Sequence, residues 1–114
     1  MDDFIEVLKA LSDETRSRLV KLLLGHDFCV GALAKRLNIS ESAVSQQLKV
    51  LRNAGVVKGD KRGYFTHYYV DRERLREVAK KIVELADLEP MGSQCHKSVV
   101  QNHSCYRKEG NKNV

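Results

Sequence analysis

The chain of 114 residues has no run of about 18 apolar residues, so its sequence predicts no membrane-spanning helix and no membrane partner. The first nine residues, MDDFIEVLK, are acidic where a secretory signal peptide is basic, and no cleavage site follows them. We therefore expect a cytoplasmic protein. A chain of this length is expected to form one domain with one modest core.

Cysteine is scarce, with three in the chain. In a cytoplasmic protein, cysteines serve as thiols, metal ligands or redox sensors more often than as structural disulfides. Catalytic motifs are also lacking: no nucleophile–base motif, phosphate-binding loop or pair of carboxylates stands out. Cys29 near His26 is only a weak thiol–imidazole candidate. We therefore predict that the protein is not an enzyme.

Acidic residues are few in the middle of the chain. Residues 25–70 contain seven Lys and Arg against three Asp and Glu, a net charge of +4 within a chain of +5. The segments 1–24 and 71–89 each carry −1, and residues 90–114 carry +3. A basic centre between nearly neutral flanks is typical of a nucleic-acid surface. A solvated charged face is the alternative.

The apolar spacing predicts two helices at the start of the chain. The first covers residues 3–11, with Ile5, Leu8 and Leu11 on one face and Phe4 and Val7 beside it. Ser12 is expected to cap the second helix, because a serine hydroxyl accepts hydrogen bonds from free backbone amides at a helix start. Gly25 is expected to end it.

Two further helices are predicted around a short turn. The third begins at Val30 and repeats apolar residues at i, i+3, i+4 and i+7. Asn38 tolerates the left-handed conformation that ends a helix, and Ser40 caps the fourth helix. The expected buried face of the fourth helix consists of Ala43, Val44, Leu48 and Leu51.

From Val56 the apolar period changes to two, which predicts a β-hairpin. Residues 56–58 and 64–70 are expected to be its strands, with a turn at 59–63 that carries a basic tip. A final helix is expected between Asp71 and Leu88, before Pro90. The predicted fold is mainly α with a small β-hairpin, in the order α-α-α-α-β-β-α.

A pair of helices joined by a short turn, with a polar outer face on the second, is the plan of a helix-turn-helix that binds DNA. Gln forms bidentate bonds with adenine, Lys binds guanine or phosphate, and Ser binds several base edges. Ser40 lies at a helix N-terminus, which binds phosphate, and the hairpin tip is suited to a minor groove or the backbone. The predicted DNA-binding residues are Ser40, Ser42, Ser45, Gln46, Gln47, Lys49, Arg52, Lys61 and Arg62, with Lys35 as a further phosphate contact. A small helical domain with a merely solvated polar face is the alternative.

Two segments, LSDETRSRLVKLLL at 11–24 and LAKRLNISESAVSQQLKVLRNAGVVKGDKRGYFTHYYV at 33–70, resemble the ArsR/SmtB family of bacterial and archaeal metalloregulatory repressors. The resemblance covers about residues 4–88. It implies a dimeric winged helix-turn-helix that represses an operator in double-stranded DNA, needs no cofactor to bind it, and is released by an effector. Glu14 stands where the family often has Pro, and Gln47 stands where it often has His in the recognition helix.

A homodimer also follows from the apolar pattern, because one winged helix of this size leaves the apolar sides of its first and last helices partly uncovered. Pairing these sides across a two-fold axis would bury them. Residues 1–90 are therefore expected to be the DNA-binding and dimerisation domain, and residues 91–114 a C-terminal tail containing Cys and His. A winged-helix module that binds protein rather than DNA is the alternative.

The family resemblance implies several alternative effector sites. One is a Cys-x-Cys pair at the start of the third helix, where Cys29 matches the first position and Gly31 replaces the second. Another uses His and acidic residues on the last helix, but residues 72–88 contain no His. We therefore expect a zinc or nickel site of that second kind to be absent.

The tail carries the remaining candidate ligands, in the pairs Cys95-His96 and His103-x-Cys105. Thiolates and imidazoles suit zinc, cadmium or cuprous copper. Together with Cys29, the two tail cysteines would supply three sulfurs for As(III) or Sb(III). A thiol redox or sulfide switch, in which Cys95 and Cys105 form a disulfide, is an alternative, and incidental cysteines in a tail are another.

Overall fold

The computed structural model describes residues 2–91, which form five helices and two strands in the predicted order. The elements are α1 (Asp2–Leu11), α2 (Glu14–Gly25), α3 (Val30–Leu37), α4 (Glu41–Asn53), β1 (Val57–Arg62), β2 (Phe65–Val70) and α5 (Arg72–Ala86). The chain divides into two compact units, residues 1–82 and 83–114. The core described below belongs to the first unit. Within residues 2–91, no helix is both long and apolar enough to cross a membrane.

The core is apolar and draws on all five helices and the hairpin, and its largest fully buried residues include Leu19, Leu33 and Leu51. On α1 the buried residues are Phe4, Val7 and Ala10, whereas Ile5 is 44% exposed. Phe4 and Val7, which were predicted beside the apolar face, lie in the core, and the exposed Ile5 fits the prediction that this helix is partly uncovered. Helix α1 contacts both α2 and α4, and this packing selects a helix face slightly rotated from the one that spacing alone suggested.

The cap of α2 lies one residue later than predicted. The carboxylate of Asp13 accepts the backbone N–H of Arg16 at 3.1 Å, so Asp13 is the N-cap. The hydroxyl of Ser12 instead donates to the carbonyl of Lys9 at 2.8 Å, at the end of α1. Both residue types satisfy free backbone groups at helix ends, and the two-residue connection between the helices assigns one end to each.

The turn between α3 and α4 confirms its predicted residues. Asn38 has φ 57° and ψ 47°, the left-handed conformation, and its N–H bonds to the last turn of α3. Ser40 then caps α4, because its Oγ accepts the backbone N–H of Ala43 at 3.0 Å. The buried residues of α4 are Val44, Leu48 and Leu51, as predicted, and Ala43 is half-buried. These contacts orient α4 with one face in the core and the other in solvent.

The hairpin, here called the wing (residues 57–70), is longer than predicted. The strands pair in antiparallel register from Val57 opposite Val70 to Arg62 opposite Phe65. Only Gly63 and Tyr64 remain for the turn, so the prediction of a turn at 59–63 was wrong. That segment is polar and exposed like a loop, but backbone pairing with β2 makes it a strand. Gly63 has φ +64°, a conformation that glycine adopts without steric cost.

The wing is held at its base by backbone hydrogen bonds to two neighbouring segments. Phe28, in the loop before α3, exchanges two backbone hydrogen bonds with Tyr68, of 3.3 and 2.8 Å. At the other end, the N–H of Asp71 donates to the carbonyl of Val56 at 2.8 Å. Asp71 caps α5 as predicted by accepting the N–H of Arg74 at 3.2 Å, although α5 ends at Ala86 rather than Leu88.

Candidate nucleic-acid interface

The outer face of α4 is exposed and polar. Ser42, Ser45, Gln46 and Lys49 are all exposed, and they lie opposite the buried residues of the same helix. This segregation follows from the helical period of 3.6, which places residues three and four apart on one face. The helix therefore presents one amide, two hydroxyls and one ammonium together, the groups that bind base edges and phosphates.

Gln47 does not share this exposed position, although it belongs to the predicted DNA-binding residues. It is half-buried, and its Oε1 accepts a hydrogen bond from Nη1 of Arg16 at 2.9 Å. The same guanidinium donates from Nε to the carbonyl of Ala10 at 2.7 Å. Arg16 thereby links α4 to the junction of α1 and α2. Sequence reasoning missed Arg16, because no local pattern indicates a contact across 31 residues.

The two basic residues of the predicted wing tip lie on β1, and they differ in their partners. Lys61 is exposed. The guanidinium of Arg62 contacts the carboxylate of Asp27 at 2.5 Å and that of Asp60 at 3.1 Å. Arg62 therefore already has two acidic partners, and one of them belongs to the loop before α3.

The ion pair shifts the pKa values of both Asp27 and Arg62. Desolvation raises the pKa of Asp27, but the charge of Arg62 and hydrogen bonds to the carboxylate outweigh it and lower that pKa below its ordinary value of 3.8. For Arg62, the hydrogen bond to Asp60 and the charge of Asp27 outweigh desolvation and raise the pKa of the guanidinium. Asp27 therefore stabilises the wing in its charged form.

The turn and the first residue of β2 carry aromatic side chains. Tyr64 is 99% exposed, and the adjacent Phe65 is also largely exposed. The turn was predicted at 59–63, so Tyr64 was not among the predicted residues of the tip. The available signal was Gly63 itself, because a two-residue turn favours glycine at its first position. That position would have placed Tyr64 second in the turn.

Arg52 and Lys35, the predicted phosphate contacts, are exposed. The guanidinium carbon of Arg52 lies 5.7 Å from the ring centroid of Tyr68, so this side chain rests on the wing. Lys35 lies in the last turn of α3, and it lines one cavity together with Asn38 and Glu41. Arg52 lies on the same side of α4 as Ser45 and Lys49, whereas Lys35 is an exposed cation of α3.

Comparison with known proteins identifies the family. A family model described as "Bacterial regulatory protein, arsR family" matches residues 13–58. The arsenical resistance operon repressor of Escherichia coli K12 is 39% identical over 84 residues, which cover 72% of this chain and 70% of that protein. The chain belongs to the ArsR family of regulatory proteins.

Solved structures agree with this assignment. An ArsR-like transcriptional regulator from Rhodococcus sp. RHA1 superposes with a TM-score of 0.77 at 25% identity, covering 90% of this chain and 96% of that one. A winged helix-turn-helix DNA-binding domain from Mycobacterium bovis, described as homodimeric, has a TM-score of 0.63 at 26% identity, with coverages of 77% and 83%. The predicted family and winged helix-turn-helix fold are confirmed, and this ArsR-family chain is a transcriptional regulator.

In this ArsR-family chain, the start of α3 contains a single thiol. Cys29 is free, half-buried and the N-cap residue of α3. A Cβ added at Gly31 would lie 3.6 Å from Oε2 of Glu41, so the second Cys-x-Cys position faces a carboxylate. An open cavity of about 720 Å³ lies beside these residues. Within the part of the chain that the structure describes, no three His, Cys, Asp or Glu residues are grouped as metal ligands.

The other predicted ligands, Cys95, His96, His103 and Cys105, lie outside the described residues. The structure therefore places Cys29 beside a cavity, and the predicted sulfur and imidazole site remains a prediction. The predicted tail, residues 91–114, also lies outside them except for Met91.

Proposed function

We propose that the chain is a homodimeric repressor that binds a double-stranded DNA operator through α4 and the wing. The observation that carries the proposal is the segregation of α4, whose Ser42, Ser45, Gln46 and Lys49 are exposed while its other face lies in the core. A helix anchored in this way can enter a major groove without losing core contacts.

Each exposed residue of α4 has a chemical role in this proposal. Gln46 forms bidentate bonds with adenine, Lys49 binds guanine or phosphate, and the serines bind base edges. Ser40 and the N-terminus of α4 bind a backbone phosphate. Gln47 is half-buried and bonded to Arg16, and Arg62 already pairs with both Asp27 and Asp60. We therefore assign these two residues supporting roles.

The homodimer is supported by exposed apolar side chains on α1 and α5. Ile5 on α1 and Ile82 on α5 are 44% and 47% exposed. Val83 and Leu85, further along α5, are also exposed. A second copy would cover such residues, and the related domain from Mycobacterium bovis is described as homodimeric. A two-fold axis would set the two α4 helices about 34–36 Å apart, one turn of DNA.

In vitro selection from a random duplex library tests the DNA-binding proposal. We expect enrichment of a two-fold symmetric site that the protein binds with steep salt dependence. Gln46→Ala should relax the base preference at one position of each half-site, by about 1–3 kcal/mol. Failure to enrich any duplex, with capture of a protein ligand by the same surface, would favour the protein-interaction module instead.

We further propose that a thiol-binding effector, arsenite or antimonite or a soft metal ion, releases the repressor from its operator. Its ligands would be Cys95 and Cys105 with Cys29, and for a metal ion also His96 and His103. The free thiol of Cys29 beside an open cavity supports this choice. The sequence identity of 39% to an arsenical resistance operon repressor also supports it. Three thiols would exchange with the three hydroxyl groups of arsenous acid, forming three As–S bonds and releasing three waters.

Release requires that the effector change the relative pose of the two α4 helices. A coupling free energy of about 1–3 kcal/mol gives a measurable loss of operator affinity. A titration of the operator complex with arsenite, antimonite, cadmium, zinc, copper, sulfide and oxidant tests the proposal. Replacing Cys95 and Cys105 by Ser should preserve DNA binding and abolish release. Full release of that variant by arsenite would contradict the ligand set, whereas release by oxidant or sulfide alone would favour the redox alternative.

A further inference from the structure

A second cationic feature lies beside the exposed face of α4. An open groove of about 750 Å³ separates the second half of α4 from the start of the wing. We call it the helix–wing groove, and its polar lining consists of Ser45, Lys49, Arg52, Asn53, Lys58 and Tyr68. Lys58 and Tyr68 do not belong to the DNA-binding residues that the sequence predicted, nor does Asn53.

The lining is cationic on both walls. Lys49 and Arg52 come from α4 and Lys58 comes from β1, and no Asp or Glu lines the groove. The ammonium of Lys58 lies 3.5 Å from the carboxylate of Asp71, but the Lys58 side chain is 55% exposed. Such exposed pairs contribute little free energy, so Lys58 remains available to a stronger anion. Three cations around one groove favour a ligand that carries repeated negative charge.

Tyr68 gives the groove a fixed floor. It exchanges backbone hydrogen bonds with Phe28 and lies opposite Gly59 in the wing. A Cβ at Gly59 would lie 2.9 Å from Cγ2 of Thr66 and 3.3 Å from Cε1 of Tyr68. Glycine at this position therefore lets the Tyr68 ring lie close to β1, where its face supports the guanidinium of Arg52 at 5.7 Å.

We infer that the helix–wing groove binds one segment of the DNA sugar–phosphate backbone, with Arg52 and Lys58 on its phosphates and Tyr68 as the residue that positions Arg52. Ser45 and Lys49 lie both in the groove and on the exposed face of α4. A DNA strand seated in the groove would therefore border the major groove that α4 enters. This inference rests on the proposed function and adds the wall that β1 supplies.

Salt dependence of DNA affinity tests the inference, because each phosphate contact releases condensed counterions. The probe is a 30-base-pair duplex of mixed sequence, so no operator is needed, and affinity is measured by fluorescence anisotropy at several KCl concentrations. Each lost contact should make the negative slope of log K against log[KCl] less steep by about 0.9, or by about 1.8 for a dimer that loses the contact in both subunits. We expect this change for Lys58→Gln and for Arg52→Gln. Lys21→Gln, an equal charge change on the exposed side of α2, is the matched control.

The role of Tyr68 is tested separately, since removing its ring also changes packing. Tyr68→Leu should lower duplex affinity several-fold at fixed salt, and Tyr68→Phe should retain it, because phenylalanine keeps the ring face beneath Arg52. Adding Tyr68→Leu to Arg52→Gln should cause no further loss, because Tyr68 acts on DNA binding through Arg52. A purely structural role would instead give additive losses.

The outcomes separate this inference from the proposed function. If the wild-type protein binds no duplex, the proposed function fails and the groove inference fails with it. If the wild type binds DNA but Lys58→Gln and Lys21→Gln show equal salt slopes, the groove inference alone is overturned. The inference is supported if the slope of log K against log[KCl] is less steep for Lys58→Gln than for Lys21→Gln by the expected amount.

Discussion

The carboxylate of Asp27 contacts the guanidinium of Arg62 at 2.5 Å, across 35 positions of the chain. Because Asp27 precedes Cys29 by two residues, this ion pair joins the start of α3 to the wing. The backbone bridge between Phe28 and Tyr68 reinforces the same connection. Any change at the N-terminal end of α3 therefore acts on a segment that directly holds the wing.

Asp27→Asn should destabilise the fold in a pH-dependent manner. The pKa of Asp27 is lower in the folded protein than its ordinary value of 3.8, so the ion pair stabilises the folded state fully above that value. This contribution is lost as the pH falls through the folded-state pKa. Urea unfolding of wild type and variant from pH 2 to pH 7 should show a difference that shrinks below about pH 4. Glu6→Gln, on α1, is the control, and a difference independent of pH would contradict the prediction.

Gln46 and Gln47 should separate base recognition from stability, although they are adjacent and chemically identical. Gln47→Ala removes the acceptor of the Arg16 hydrogen bond, and we expect it to lower the free energy of unfolding by about 1–2 kcal/mol. Gln46→Ala, at an exposed position, should leave unfolding within about 0.5 kcal/mol of wild type. Urea denaturation measures both. A larger loss of stability for Gln46→Ala than for Gln47→Ala would contradict the assignment of the stabilising role to Gln47.

Gly63→Ala should destabilise the wing through its backbone alone. Gly63 has φ +64°, and a Cβ there would meet no atom within 4 Å. The expected cost is therefore the conformational one, about 1–2 kcal/mol. Gly25→Ala is the matched control, because its Cβ would also meet no atom and its φ is not in the left-handed region. Thermal unfolding should show a lower Tm only for Gly63→Ala, and equal Tm values would refute this account.

Ile82→Lys should shift the protein from dimer to monomer. Ile82 is an exposed apolar residue on α5, and an ammonium buried in a dimer interface would be costly. Sedimentation velocity at micromolar concentration should show the smaller species, and affinity for the selected operator should fall because half-site binding loses its partner. Ser17→Lys, at an exposed position of α2, should remain dimeric. A dimeric Ile82→Lys variant with normal operator affinity would exclude this face as the interface.

Much of the fold was predictable because it depends on local rules. The apolar repeats of α3 and α4, the left-handed Asn38 and the Ser40 cap each involve residues within four positions of one another. The turn of the wing was less predictable, since residues 59–62 have a loop-like composition and become a strand by pairing with β2. The exposed serines, Gln46 and Lys49 of α4 follow from its period.

By itself, the sequence determined the helix order and the exposed polar face of α4, because periodicity and capping are encoded in neighbouring residues. Its motifs indicated the family by resemblance. Only the tertiary structure decided which polar residues already have partners. Gln47 bonds to Arg16 and Arg62 pairs with Asp27, and these residues are distant in sequence. Packing also formed the helix–wing groove, because Arg52 and Tyr68 meet only when the wing folds against α4. Hydrogen bonds and ion pairs depend on distances in space, which no local pattern specifies.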